Sequence, residues 1–180
     1  MRVFLNPGHA PNGEPDPGAC GWGIRECDVA KNVADLVAGY LTAAGVEVVG
    51  NLQSDSLEEV VDVSNESEAD LFISIHCNAC NGNARGTEVW YYHRSANGEL
   101  LADCIRHQIV DALGTADRGS KGAEPGINGL YVLSNTGATA VLVELAFIDN
   151  EEDARLLCDK QDEFARAIAR GVTDYEQEVF

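Results

Sequence analysis

Two stretches of this chain are almost wholly apolar, and each is about as long as one strand. Leu71–His76 is rich in isoleucine, and Ala140–Ala146 is continuous apolar apart from Glu144. Runs of this kind fit central strands buried on both faces, which is how strands sit in a parallel sheet. Around them the hydrophobic period changes. Val29, Val33, Leu36, Val37, Tyr40, Leu41 and Ala44 recur at three-to-four spacing and predict a helix over Asp28–Ala44, with Gly45 as its C′ residue. A serine followed by two acidic residues opens a second helix over Ser56–Ala69. Leu101, Ile105 and Ile109 share one face of a third over Gly98–Leu113, stopped by Gly114. Asn150 caps another, with Asp153 at its N3 position, and Phe164, Ile168 and Val172 mark the last. Arg2–Asn6, Val46–Asn51, Gly86–Tyr92 and Leu130–Leu133 read as further strands. Strands alternate with helices throughout, so the class is α/β with a largely parallel sheet. At 180 residues the chain reads as one domain, 1–180, large enough for its own core.

Charge excludes some partners. The formal net charge is −18, with 30 acidic against 12 basic residues. No basic stripe offers phosphates a counter-charge, so nucleic acid is not an expected partner. An anionic membrane or acidic wall polymer would be repelled at low salt unless specific contacts or a separate module held it. The plain meaning of the charge is solubility, or life in a salty medium. No apolar run is long enough to span a membrane. The opening Met1–Leu5 turns polar at Asn6, too short for a signal peptide. The expectation is a protein that stays inside until released, or a domain excised from a longer exported one. The six cysteines, including Cys77-x-x-Cys80, read as small packing residues in a reduced state.

Four ionisable residues sit where a predicted strand ends or a helix begins: His9, Glu26, His76 and Glu144. In an open α/β sheet the carboxyl ends of the strands face one crevice, where ligands bind. Two imidazoles and one carboxylate leave a fourth zinc position open for water, and a further buried carboxylate carries protons. That combination reads as a metal-dependent hydrolase. Each residue also has a plain alternative. His9 follows a Pro-Gly turn and suits a surface loop. His76 ends an apolar strand and suits the core. Glu26 opens a helix and suits its dipole. Glu144 has the weakest alternative, because an ionised carboxylate in an apolar strand costs several kcal/mol unless paired or beside a metal. The long Pro7–Gly23 loop holds all but one of the prolines, and loops of that length in compact domains are usually functional. Arg118 and Lys121 lie in a Gly-rich stretch, Arg118–Gly129, which reads either as an ordinary exposed loop or as a clamp for a substrate carboxylate. Trp90, Tyr91 and Tyr92 read as strand packing.

Asn6-Pro7-Gly8-His9, Gly18-Ala19-Cys20-Gly21 through Glu26, Ala69–Ala79, Gly86-Thr87-Glu88-Val89, and Ala140–Glu144 with Phe147-Ile148-Asp149-Asn150 occur in that order along the chain. In this the sequence resembles the zinc-dependent N-acetylmuramoyl-L-alanine amidases of the third amidase family, found in autolysins, spore-cell lysis enzymes and phage endolysins. The resemblance runs roughly from Arg2 to Val172. It implies a central mixed, mostly parallel sheet with helices on both faces. It implies zinc bound by His9, Glu26 and His76, with Glu144 catalytic. It also implies peptidoglycan as substrate, cut at the amide between N-acetylmuramic acid and L-alanine. Read from its own position two residues after His76, Asn78 either fixes that ring or touches substrate, and it joins Arg118 and Lys121 as a candidate substrate contact. The chain departs from the family pattern at Val60, Ser134 and Thr139, where arginine, arginine and proline are usual. Two alternatives stay open: another zinc hydrolase of wall peptides, a peptidase or deacylase, or a non-catalytic wall-binding domain.

Overall fold

The two apolar runs pair with each other in the middle of a six-stranded sheet. The structure is a computed structural model, and it describes residues 1–179. In chain order the strands are β1 (Arg2–Pro7), β2 (Cys20–Gly21), β3 (Ile24–Arg25), β4 (Glu47–Asn51), β5 (Leu71–Asn78), β6 (Thr87–Tyr92), β7 (Asp117–Ala123) and β8 (Thr139–Phe147). The helices are α1 (Glu26–Ala43), α2 (Leu57–Glu66), α3 (Ala96–Leu113), α4 (Tyr131–Asn135), α5 (Glu151–Asp159) and α6 (Gln161–Val179). The main sheet runs β4-β1-β5-β8-β6-β7, while β2 and β3 form a separate two-stranded hairpin. β1, β4, β5 and β8 are mutually parallel. β6 runs antiparallel to β8 and parallel to β7, so the sheet is mixed.

Alternation along the strands splits the core in two. Val3, Leu5, Ile73, Ile75, Val141 and Val143 point to the larger layer. There they meet Val33 and Leu41 of α1, Leu101 and Ile105 of α3, and Phe164 and Ile168 of α6. Phe4, Phe72, Ala140 and Leu142 point the other way, to a smaller layer under α2 and α4. Val60 is fully buried in that smaller layer. The caps behave largely as the residue types predict. Ser56 accepts from the Glu59 amide, Asn150 from those of Glu152 and Asp153, and Gly114 closes α3 in the left-handed conformation.

Two local expectations are corrected. Leu130–Leu133 is not a strand. The chain turns into α4 there, with the Ser134 amide donating to the Leu130 carbonyl and Val132 and Leu133 buried in the smaller layer. A four-residue apolar run fits one helical turn as well as a strand, and periodicity cannot separate them. The polar Arg118–Gly129 stretch is not simply a loop either, because Asp117–Ala123 is the edge strand β7. An edge strand pairs through its backbone on one side only, and charged residues there are common. The cysteine expectation holds only in part. All six thiols are free, but Cys27 and Cys77 alone are buried, and Cys20, Cys80 and Cys158 are exposed.

Candidate metal centre

The parallel strands deliver their carboxyl ends to one edge of the sheet, and His9, Glu26, His76 and Glu144 gather there. His9 follows β1 through the Pro7-Gly8 turn, Glu26 opens α1, His76 lies near the end of β5, and Glu144 on β8 is its register partner. Two glycines let these groups close up. A Cβ on Gly8 would stand 2.3 Å from His76 Cε1. One on Gly18, whose φ is +69°, would stand 2.5 Å from His9 Cδ2 and 2.6 Å from Glu26 Oε2. Only glycine tolerates both demands at position 18.

Glu26 is the hub. Its Oε2 accepts the Ala19 amide at 2.8 Å and lies 2.9 Å from His9 Nε2. Its Oε1 accepts the Cys77 amide at 3.0 Å and lies 2.9 Å from His76 Nδ1. The β5–β8 register shifts between His76 and Asn78, and the Cys77 amide within that irregularity is the one Glu26 takes. Two backbone amides thus aim the carboxylate at two imidazoles. Burial alone would raise the Glu26 pKa, yet hydrogen bonds from His76 and His9 hold it well below the usual carboxylate range. Burial would lower that of His9, but Glu26 and Asp16 carry it up to about 9. His9 Nδ1 donates to Asp16 Oδ2 at 2.8 Å, which fixes the ring with Nε2 turned inward.

One donor atom each from His9, Glu26 and His76 lies within 4.8 Å of the others. Convergence of two imidazole nitrogens and a carboxylate oxygen suits a divalent cation, and His2Glu is a known catalytic zinc set. A second observation agrees. Glu144 Oε2 is sealed from solvent and meets no hydrogen-bond partner. Burial pushes the Glu144 carboxyl up to about 7; the nearby His76 opposes this, while Glu26 and Glu88 add to it. An orphaned buried carboxylate oxygen beside three converging donors fits a site completed by a metal and its water.

The other candidates converge on Glu88 of β6, the strand beyond Glu144. Asn78 does not touch His76; its Nδ2 donates to Glu88 Oε1 at 3.0 Å. Arg118 and Lys121 lie on β7, and both donate to Glu88 Oε2, at 2.7 and 2.5 Å. The Trp90 indole donates to Glu88 Oε1 at 3.1 Å, so this aromatic packs on its strand and also joins the cluster. Glu88 and Asp16 were given no role from sequence. Glu88 carried the same signal as Glu144, a carboxylate inside a β-rich run. Asp16 carried only its place in the long loop.

Comparison with known proteins identifies the family. The profile of the N-acetylmuramoyl-L-alanine amidase family matches residues 3–174. The N-acetylmuramoyl-L-alanine amidase LytC of Bacillus subtilis is 37% identical over 181 residues, covering 96% of this chain and 35% of LytC. The endolysin of Bacillus phage SPP1 is 37% identical over 180 residues, covering 94% of this chain and 62% of its own length. The chain thus spans less than two thirds of both relatives. Among solved structures, the amidase AmiC2 of Nostoc punctiforme superposes with a TM-score of 0.87 at 31% identity, covering 98% of this chain and 97% of that one.

Proposed function

Because the chain belongs to the N-acetylmuramoyl-L-alanine amidase family, we propose that it is a zinc-dependent catalytic domain. Its reaction is hydrolysis of the amide between N-acetylmuramic acid and L-alanine in peptidoglycan. The observation that carries this is the convergence of His9, Glu26 and His76 beside the unpartnered Glu144 Oε2. His9 Nε2, a Glu26 carboxylate oxygen and His76 Nδ1 hold the metal. Zinc bound there supplies Lewis acidity, which acidifies a water and polarises an amide carbonyl. Glu144 takes the proton of the attacking water and then delivers it to the leaving nitrogen of L-alanine. A carboxylate oxygen with no other hydrogen-bond partner is free to accept a proton and to return it. Asp16 keeps the His9 ring in the tautomer that leaves Nε2 free for metal. The protein acts on the cell wall, and no helix among the described residues is long and apolar enough to cross a membrane.

The test is incubation of the purified protein with a muramyl peptide, before and after chelation and zinc reloading, with products identified by mass spectrometry. The expected result is zinc-dependent release of an intact peptide with a free L-alanine amine, falling about 100-fold to 10,000-fold in Glu144→Gln. Cleavage inside the peptide would instead mark a peptidase, and an active Glu144→Gln variant would remove Glu144 from the mechanism.

A further inference from the structure

The crevice is electrically lopsided. Going across the sheet from β1 to β7, one face carries Asn6, then Ser74 and His76, then Leu142 and Glu144, then Glu88 and Trp90, then Lys121. Beside His9 and His76, at the β1–β5 end, lies a cavity of about 180 Å³ walled by Leu57, Leu130, Tyr131, Val132 and Leu142. No charged group lines it apart from the two histidines. At the β6–β7 end, directly across from Glu144 in register, sits Glu88 with Arg118 and Lys121.

That cluster departs from the pairing rule of the rest of the molecule. Among the described residues every other cation except Arg94 has at least one carboxylate of its own as an ion-pair partner. Arg118 and Lys121 share one, the buried Glu88, which leaves one positive charge over in a protein of net charge −18. The way Arg118 is held matters more. It donates to Glu88 through Nε alone, and among the described residues neither Nη group meets an acceptor. Its guanidinium lies over the Phe147 ring, 4.7 Å from the centroid, which fixes the plane of the fork. The Lys121 ammonium is likewise steadied by the Trp90 ring at 5.3 Å. A guanidinium braced at Nε and open at both Nη groups is arranged for two parallel bonds to a carboxylate.

We propose that Arg118 and Lys121, positioned by Glu88, form a subsite for a carboxylate on the leaving peptide. This rests on the amide-hydrolase assignment and adds a direction to it. The muramoyl sugar lies over the mostly apolar cavity at β1–β5, and the peptide runs toward β6–β7. The nearest carboxylate on that side is the α-carboxylate of the second peptide residue, D-glutamate linked through its γ-carboxyl. The subsite therefore discriminates a free carboxylate there from a carboxamide. Glu88 touches no substrate. It places the two cations, and its Asn78 and Trp90 bonds keep it from following them.

Binding tests this without turnover. The probes are L-alanyl-D-isoglutamyl-L-lysine amide and its D-isoglutaminyl counterpart, titrated calorimetrically into the zinc-loaded protein. The expected result is a preference of about tenfold or more for the free carboxylate, weakening as salt rises. Arg118→Met and Lys121→Met each reduce the preference and leave carboxamide binding unchanged. Glu88→Gln also reduces it, and in hydrolysis raises KM for the carboxylate substrate more than it lowers kcat. Arg94→Gln, whose charge lies at the opposite sheet edge, keeps the preference. Equal affinity for the two peptides, or equal loss on both in Arg118→Met, overturns the proposal. If the preference is present but neither peptide is released when joined through its L-alanine to N-acetylmuramic acid, the amidase assignment fails and the subsite stands.

Discussion

His9 sits at φ +66°, in the left-handed region that costs a non-glycine residue on the order of 1 kcal/mol. Its ring is held there by Asp16 on one side and Glu26 on the other. Gly8, immediately before it, leaves just enough room for the His76 ring. Single atoms therefore decide whether three donors converge. Gly8→Ala should fold, because the intruding methyl meets a side chain rather than backbone, yet it should displace His76. Bound zinc per chain should drop well below one by elemental analysis, with far-ultraviolet circular dichroism unchanged. Full zinc occupancy would show that His76 can move aside without cost. Asp16→Ala should weaken zinc about 10-fold to 100-fold in competition with a chromophoric chelator. Undiminished affinity would restrict Asp16 to capping the turn through its bond from the Gly18 amide.

At the scale of elements, the site depends on how the ends of strands and helices are tied. Asp153 lies at the N3 position of α5, but its carboxylate does not reach back to Asn150 as a capping box would. Its Oδ2 accepts the amides of Gly86 and Phe147, both at 2.8 Å, joining α5 to the start of β6 and the end of β8. Asp153→Ala strands two buried donors, and a loss of about 3 kcal/mol in urea unfolding is expected. A loss under about 1 kcal/mol would mean that water replaces the carboxylate. Glu88 ties β6 to β5 and β7. Burial would raise its pKa, but bonds from Lys121 and Arg118 hold it below the ordinary value. A lowered native pKa stabilises the fold above the unfolded pKa of about 4.3, and that stability is lost as pH falls through the native value. Glu88→Gln should therefore be less stable than the parent at neutral pH. The difference should shrink as pH drops below about 4. A pH-independent difference would point to packing instead.

The molecule as a whole carries far more negative charge than its ion pairs absorb, with 30 acidic residues against 12 basic. Self-repulsion at that level opposes the compact state and is screened within about 10 Å at 0.1 M salt. Melting temperature should rise by a few degrees or more between low salt and about 0.5 M sodium chloride, measured by scanning fluorimetry. A fall would mean that screened ion pairs outweigh the repulsion. Much of this protein could be read from its residues alone. The α/β class followed from the alternation of helical periods with apolar runs such as Ala140–Ala146, whose length and β-branched content suit a strand buried on both faces. His9, Glu26, His76 and Glu144 were visible because an ionisable group at a strand end or inside an apolar strand is costly without a task, and their order resembles that of a known family. Those are properties a residue carries with its neighbours in sequence. Tertiary structure alone decided that Leu130–Leu133 turns into α4 and that the polar Asp117–Ala123 is a strand. It alone showed that Glu88 organises Asn78, Arg118 and Lys121, and that Asp16 holds His9. An edge strand is fixed by backbone bonds that do not depend on its side chains. An ion pair across 33 positions, such as Glu88 with Lys121, exists only once the sheet has brought its two halves together.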